Sequence, residues 1–564
     1  YMVYDKRDRL VYTQDANMRS KNWWHTTLYD NLNRPIQTAM LTSPGYDRAT
    51  LQSLVNGISD GATTVNTSVE ITSGITADLS VSQWQTGVNY QASNSVTIND
   101  GFVSNDNAEY TVEIVAGTGT PASVQQTANT YPVPSGATLV ALTYTHYDNY
   151  NWTSKQYKTA YNSKLSQGNS TYSEPLPTTT NTAVQGLVTG TRVRVLEDAG
   201  DLSKGKWLEA ASFYDSKGRV VQVQATNYKG GEDALTSLYD FTGKVLSTYQ
   251  MHSNASAGIN NQSILTVMDY DHAGRVTQVR KTINDDLSKT RVIAQNSYDA
   301  LGQLKTKQLG QKTDETGTPL AGQYLETQDY AYNIRGWLKG INWDGYGTAN
   351  SKTGAKTNRW FAFDLSYDWG YEQNQYNGNI AGMRWQTGYD NANRLLYGDF
   401  KEYRSGWNNT ANIDFSMKMG DGQNHASAYD ENGNIKAMFQ VGLKGTASTP
   451  IDNLGYSYNS LSNKLAAVTD AVTGDNKLGD FTDKNTTGDD YAYDDNGNLT
   501  IDKNKNIQSI SYNHLNLPYQ VTVKNDDGTA KGTITYIYDA TGNKLEKRTS
   551  ELAASSNQQQ GKQT

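Results

Sequence analysis

Tyr214-Asp215-Ser216-Lys217-Gly218-Arg219-Val220 is the stretch on which the reading of this chain turns. The same order of residue types returns at Tyr239-Asp240-Phe241-Thr242-Gly243-Lys244-Val245, at Tyr270-Asp271 with Gly274-Arg275-Val276, and at Tyr298-Asp299 with Gly302-Gln303-Leu304. Towards the far end it stands at Tyr429-Asp430 with Gly433-Asn434-Ile435, Tyr493-Asp494 with Gly497-Asn498-Leu499, and Tyr538-Asp539 with Gly542-Asn543-Lys544-Leu545. Relaxed copies put Asn or Asp where the Gly stands: Tyr4-Asp5 with Asp8-Arg9-Leu10, Tyr29-Asp30-Asn31-Leu32-Asn33-Arg34, and Tyr389-Asp390-Asn391-Ala392-Asn393-Arg394-Leu395.

Each position has a physical job. Tyr favours a strand and buries its ring while leaving its hydroxyl wet. Asp at the first position of a four-residue turn caps backbone amides with its carboxylate. Gly, or else Asn or Asp, supplies a positive φ at the fourth position, where a type I turn followed by a bulge re-enters the sheet. The basic or amide residue and the following Leu, Val or Ile begin the return strand. One motif is one β-hairpin, and recurrence every twenty to thirty residues or so marks a repeat array. The expected fold is all-β, a strip of hairpins.

Composition agrees. The chain has 564 residues, of which 36% are hydrophobic, with 39 Tyr and 49 Gly against 10 Pro, and its mean hydropathy is -0.70. That is poor for one dense core and too rich in aromatics for disorder. A thin twisted sheet fits, with Tyr, Thr, Asn and Gln doing the cross-strand packing. A repeat array buries each unit against its neighbours, so length alone does not demand several separate domains. The formal net charge of -8 and pI near 5.4 argue against a nucleic-acid partner. No apolar run is long enough to cross a bilayer as a helix. With 0 Cys, disulfides and thiolate metal sites are excluded. The chain opens at Tyr1 inside a repeat, so it is read as a piece of a longer polypeptide.

In chain order, residues 1–61 read as relaxed hairpins joined by Lys21-Asn22-Trp23-Trp24-His25, then a short amphipathic helix within Tyr46 to Asn56 with Gly57 as its C-cap. Residues 62–136 lack the motif and read as an inserted small β-domain. Residues 137–549 read as the main array, interrupted by surface loops at Ser170–Thr182, Gly310–Gly322 and Asn350–Asn358. Residues 550–564 read as a flexible tail or linker.

At these residues the chain resembles the YD repeats of Rhs-type proteins. The wording Tyr332-Asn333-Ile334-Arg335-Gly336-Trp337-Leu338, then Gln375-Tyr376-Asn377-Gly378-Asn379-Ile380-Ala381-Gly382-Met383, is similar to the long Rhs-like proteins of the Bacteroidetes. The resemblance implies a hairpin strip wound into a hollow β-shell around a C-terminal cargo or toxin domain. It also implies export, in that group often by the type IX secretion translocon, to the extracellular space or outer-membrane surface. The Asp-Pro-x-Gly signature that ends such shells is absent, and no toxin domain follows. The resemblance then implies that this chain is shell wall without the plug, the protease or the cargo.

Little in the sequence points to catalysis. Gly57-Ile58-Ser59-Asp60-Gly61 matches the nucleophile-elbow pattern, yet that elbow needs a strand before the Ser and a helix after it. Here a helix comes first, and Gly57 reads as its stop. His25, His146, His252, His272, His425 and His514 are scattered, without ligand spacing. Asp489-Asp490 with Asp494-Asp495-Asn496-Gly497-Asn498 lacks the first ligand of a calcium loop, and Lys503 stands where the bidentate Glu belongs. Lys356-Thr357 follows Ala355, so no phosphate-cradling loop is formed. No metal, cofactor or catalytic residue is assigned. The Trp residues read as strand packing rather than sugar platforms, although the stretch Tyr90 to Phe102 in the inserted module is the first place to seek a glycan contact.

The expectation is therefore a non-enzymatic structural shell. The alternative is a cell-surface adhesin or glycan-binding scaffold, and an enzyme within the inserted module is the weakest of the three readings.

Overall fold

A computed structural model describes residues 1–42, 45–57, 137–198, 200–254, 259–342, 414–444, 447–472 and 480–551. It adds short stretches between 363 and 408 and, as backbone alone, strands between 62 and 129. The fold is all-β and overwhelmingly antiparallel, and the chain divides into two compact units.

The first unit comprises Tyr1–Gln167, Tyr172–Leu265 and Tyr538–Asn543. Its sheet runs through β1 (Met2–Tyr4), β2 (Leu10–Thr13), β3 (Trp23–Tyr29), β4 (Pro35–Thr42), β5 (Thr138–Tyr147), β6 (Val188–Leu196), β7 (Trp207–Tyr214), β8 (Val220–Thr226), β9 (Glu232–Tyr239) and β10 (Val245–Asn254). Each strand pairs antiparallel with the next. At β6 the far end pairs again, Val195 with Asp539 and Leu196 with Tyr538. Strand β3 alternates buried and half-buried residues along its length, because one face is covered. Beneath β1–β4, Val3, Val11, Tyr12, Trp24, Leu28, Ile36 and Leu41 form a core with Leu51 and Val55 of a helix. Full burial of one such Leu is worth about 1.5–3 kcal/mol.

Two short helices flank this sheet. Helix α1 (Ala16–Ser20) starts where the Asp15 carboxylate accepts the Met18 amide at 2.7 Å. Helix α2 (Arg48–Asn56) starts where Asp47 accepts the Thr50 amide at 2.8 Å. The sequence joined the first hairpins through Lys21–His25. Instead α1 makes the connection and Trp23 already opens β3, since the β-favouring run Trp-Trp-His-Thr-Thr extends the strand backwards.

From Asp148 to Gln167 and again from Tyr172 to Leu187 the chain forms no strand of the sheet and lies across β7–β10 as a strap. Buried glutamines of β8 hold it. Gln222 Oε1 accepts the Lys158 amide at 2.8 Å while its Nε2 donates to the Lys158 carbonyl at 3.2 Å, and Gln224 Nε2 donates to the Gln156 carbonyl at 2.6 Å. Trp152 and Tyr157 of the strap pack on Ala211, Phe213 and Val221.

The inserted segment contributes a separate pair, Ala62–Val69 with Ala122–Asn129, and a parallel set, Thr76–Val81, Tyr90–Ile98 and Val112–Ile114. Ser59, the side chains of Tyr90–Phe102, the loop at Asn350–Asn358 and the tail from 552 lie outside the described residues.

The second unit, Gly168–Thr171, Thr266–Ile537 and Lys544–Thr564, is built from the same hairpins. One run pairs Val276–Ile283, Asp286–Tyr298, Leu304–Thr313, Pro319–Tyr332 and Leu338–Ile341 in succession. A second includes Met417–Met419, Ala437–Lys444, Ala447–Tyr458 and Leu465–Asp470. A third joins Tyr491–Tyr493, Leu499–Asp502, Ile507–Tyr512, Pro518–Lys524 and Ala530–Asp539. Gly310–Gly322, expected as a surface loop, is a hairpin: Asp314 accepts the amides of Thr316 and Thr318, both at 2.9 Å, and Gly317 turns at φ +85°. Thr313 stands where the motif has Tyr, so the turn lacked its aromatic marker.

The described turn glycines take the left-handed backbone that the motif requires, and Gly243 shows it most cleanly, with φ +90° and nothing within 4 Å of a Cβ placed there. Gly243→Ala is expected to cost about 1–2 kcal/mol through backbone conformation alone. Gly243→Asn should cost less, since Asn tolerates that region. Urea midpoints read the difference, and equal midpoints for parent and both variants would contradict it.

Candidate functional site

The feature that recurs most is the turn, and its atoms are arranged the same way in both units. At Asp215 one carboxylate oxygen accepts the amides of Lys217 and Arg219, each at 2.9 Å, and the other accepts Arg219 Nε at 2.7 Å. The Gly218 amide closes the turn on the Asp215 carbonyl at 3.1 Å, with φ +75° at Gly218. The strand register slips by one residue just before Tyr214, the bulge that a type I turn of this kind brings. Asp240, Asp271, Asp299 and Asp539 repeat the pair of amide bonds at 2.8–3.0 Å. Asp430 and Asp494 accept both the amide and the side-chain amide of Asn434 and Asn498. The closing glycines Gly274, Gly302, Gly433, Gly497 and Gly542 all have positive φ. For the relaxed copy at Tyr389, the residues Asp390–Asn393 lie outside the described set, while Tyr389 pairs with Leu395.

The tyrosines do something the local motif does not reveal. In most of the described copies the hydroxyl reaches back to the turn before it and donates to the carbonyl of the first return-strand residue, whereas Tyr4 and Tyr270 turn theirs to Met2 Sδ and Met268 Sδ. Tyr29 bonds Leu10, Tyr239 bonds Val220, Tyr298 bonds Val276, Tyr429 bonds Leu395 and Tyr493 bonds Leu465, at 2.5–3.0 Å. Tyr147, Tyr214, Tyr458 and Tyr512 do the same to Pro35, Val188, Ile435 and Leu499. The basic residue of the earlier turn lies over the ring of the later tyrosine: Arg9 over Tyr29 at 4.7 Å, Arg219 over Tyr239 at 5.2 Å, Arg275 over Tyr298 at 4.5 Å and Arg394 over Tyr429 at 4.5 Å. Arg34 goes further, stacking over Tyr147 at 4.3 Å and clasping Asp148 through two bonds of 2.9 and 2.6 Å. Turns are thus tied in sequence within each unit. The signal missed in the sequence was the recurrence of Arg at that position in Arg9, Arg34, Arg219, Arg275 and Arg394: a return strand alone has no need of Arg there.

Several of the candidate residues have structural roles, while Ser59 and Lys356-Thr357 lie outside the described residues. Asp490 is fully buried, one oxygen accepting the Val468 amide and the other Asn485 Nδ2, both at 2.8 Å. His146 is buried flat on Trp152, with ring centroids 4.3 Å apart, and burial pushes its pKa down to about 3. His514 is buried at a turn, while His25 and His252 lie in strands and burial lowers His25. Trp24 and Trp152 are fully buried, unsuited to stacking on a sugar. The side chains of Trp84, Trp343, Trp360, Trp369, Trp385 and Trp407 lie outside the described residues. Among the described residues one trio, Asp452, Asp470 and Asp480, brings carboxylate oxygens within 4.8 Å of one another. Asp452 already accepts the Phe481 amide, and Asp470 the amides of Asn453 and Val472. No described helix is long and apolar enough to cross a membrane.

No family model matches the chain, and no curated protein sequence matches it. Among solved structures it aligns with the crystal structure of TcdB2-TccC3 without its hypervariable C-terminal region, at 12% identity and a TM-score of 0.29, over 98% of this chain and 28% of that one. The chain therefore spans less than a third of that protein's length.

Turn carboxylates make the fold acid-sensitive. The Arg275 amide and then its guanidinium hold Asp271 below the ordinary carboxylate range; the Asn434 side chain does so for Asp430. Burial pushes Asp240 up, but the Thr242 hydroxyl and the amides of Lys244 and Thr242 outweigh it. A depressed folded pKa means the unfolded chain takes up protons first, so this stability is present above about pH 4 and lost as pH falls further. A variant carrying Asp240→Asn, Asp271→Asn and Asp430→Asn should lose less stability than the parent between pH 5 and about pH 2. Identical pH slopes in thermal melts would count against this.

Proposed function

We propose that this chain is a stretch of the wall of an exported β-shell, a non-enzymatic container for a cargo or toxin domain of its own polypeptide. The observation that carries the reading is the burial pattern of the second unit. Leu304–Thr313, Ile507–Tyr512 and Pro518–Lys524 contain no fully buried residue on either face. A sheet packed on a core alternates inward and outward residues; a sheet half-wetted on both faces is a single layer. Such a layer is what a container wall needs. The tied turns supply stiffness along the stacking direction, where each hairpin would otherwise rely on its ladder alone. The resemblance to YD repeats points the same way, and both the cargo or toxin domain and export to the cell surface through a type IX translocon rest on that resemblance only.

The test is solution scattering on the purified chain. A compact chain of this length has a radius of gyration of about 24 Å. A wall around a void should give a clearly larger value, with a pair-distance distribution skewed to long vectors. A value near that of the compact chain, with a symmetric distribution, would rule the container out.

A further inference from the structure

In an antiparallel pair, successive residues point their backbone groups alternately toward the partner strand and away from it. The Gln14 amide donates to the Tyr1 carbonyl at 3.0 Å, and Val3 stands opposite Tyr12. Tyr1 and Val3 therefore face β2, while Met2 and Tyr4 turn their N–H and C=O groups outward. Among the described residues no strand pairs with β1 on that side. Outward backbone groups of this kind are the surface that recruits another strand.

Helix α2 occupies it. Gln52 Nε2 donates to the Tyr4 carbonyl at 2.7 Å, and its Oε1 accepts the Tyr4 amide at 3.3 Å. Arg48 Nε donates to the Met2 carbonyl at 3.1 Å. Gln52 thus offers Tyr4 one donor and one acceptor, the pair that a residue of a neighbouring antiparallel strand would offer. The same bidentate amide recurs where Asn169 grips the backbone of Tyr270, at 2.8 and 3.0 Å, and where Gln222 grips Lys158. The helix is held independently of these bonds, since Leu51 and Val55 are buried in the core with Val3 and Val11.

We propose that α2 is an edge cap: its Arg48 and Gln52 side chains stand in for a strand and keep β1 from pairing with the β1 edge of a second copy. That competitor fits because two identical antiparallel edges meet about a two-fold axis with the same outward groups from each, Met2 and Tyr4. The inference is independent of the container reading.

The experiment is sedimentation velocity on the purified chain over a hundredfold concentration range, comparing the parent with the double variant Arg48→Ala, Gln52→Ala. Alanine favours helix, so α2 should persist, which the far-ultraviolet spectrum and the melting temperature check. The double variant should form a concentration-dependent dimer beyond any association of the parent. Adding Met2→Pro, which removes an outward N–H without touching the ladder to β2, should abolish that dimer. The single variant Gln52→Ala should exchange its Tyr4 amide at least tenfold faster than the parent, with the Tyr12 amide unchanged. Association equal to the parent's, a dimer that survives Met2→Pro, or an unchanged Tyr4 exchange rate would each overturn the proposal.

Discussion

The constraint beneath everything else is a carboxylate that accepts two backbone amides of its own turn. Without it those two amides would lose their acceptor, and the turn would rest on its backbone bonds alone, such as Gly218 N–H to the Asp215 carbonyl. A hydrogen bond to a charged acceptor contributes about 1.5–3 kcal/mol, more than a neutral pair. At Asp215 the second oxygen then orients Arg219, which reaches the Asp240 carbonyl at 3.0 Å and stacks on Tyr239. One acidic residue therefore shapes its own hairpin and positions the next.

That arrangement explains how a chain with so few apolar residues builds so much sheet. The well-covered face of β7–β10 in the first unit depends on a strap fixed by buried glutamines, and the second unit contains strands half-buried on both faces. Polar ties between neighbouring turns replace much of what a deep core would contribute. The same economy recurs at the edge, where Gln52 satisfies backbone groups that no strand covers.

Legibility followed the range of the interactions. Asp215, Gly218 and their counterparts lie within one tight turn, so residue type and spacing expose their roles directly. The Asp314 turn was hidden because Thr313 replaces the expected Tyr, and α1 because five residues are too few for a periodic pattern. Nothing in the sequence marks Gln222 and Gln224 as interior; the strap laid over them makes them so. The bonds from Tyr239, Tyr298 and their counterparts to the previous turn join residues a whole hairpin apart, and nothing in a single motif announces them. Likewise the trio Asp452, Asp470 and Asp480 comes from three separate segments.

Coupling between successive turns is the point on which the molecule's architecture stands. A double-mutant cycle on Arg275→Ala and Tyr298→Leu, read by urea unfolding, measures it directly across the 4.5 Å stack. An interaction energy of about 0.5–1 kcal/mol favouring the parent pair is expected. Additivity to within about 0.3 kcal/mol would show that each hairpin stands alone and would contradict the tied array.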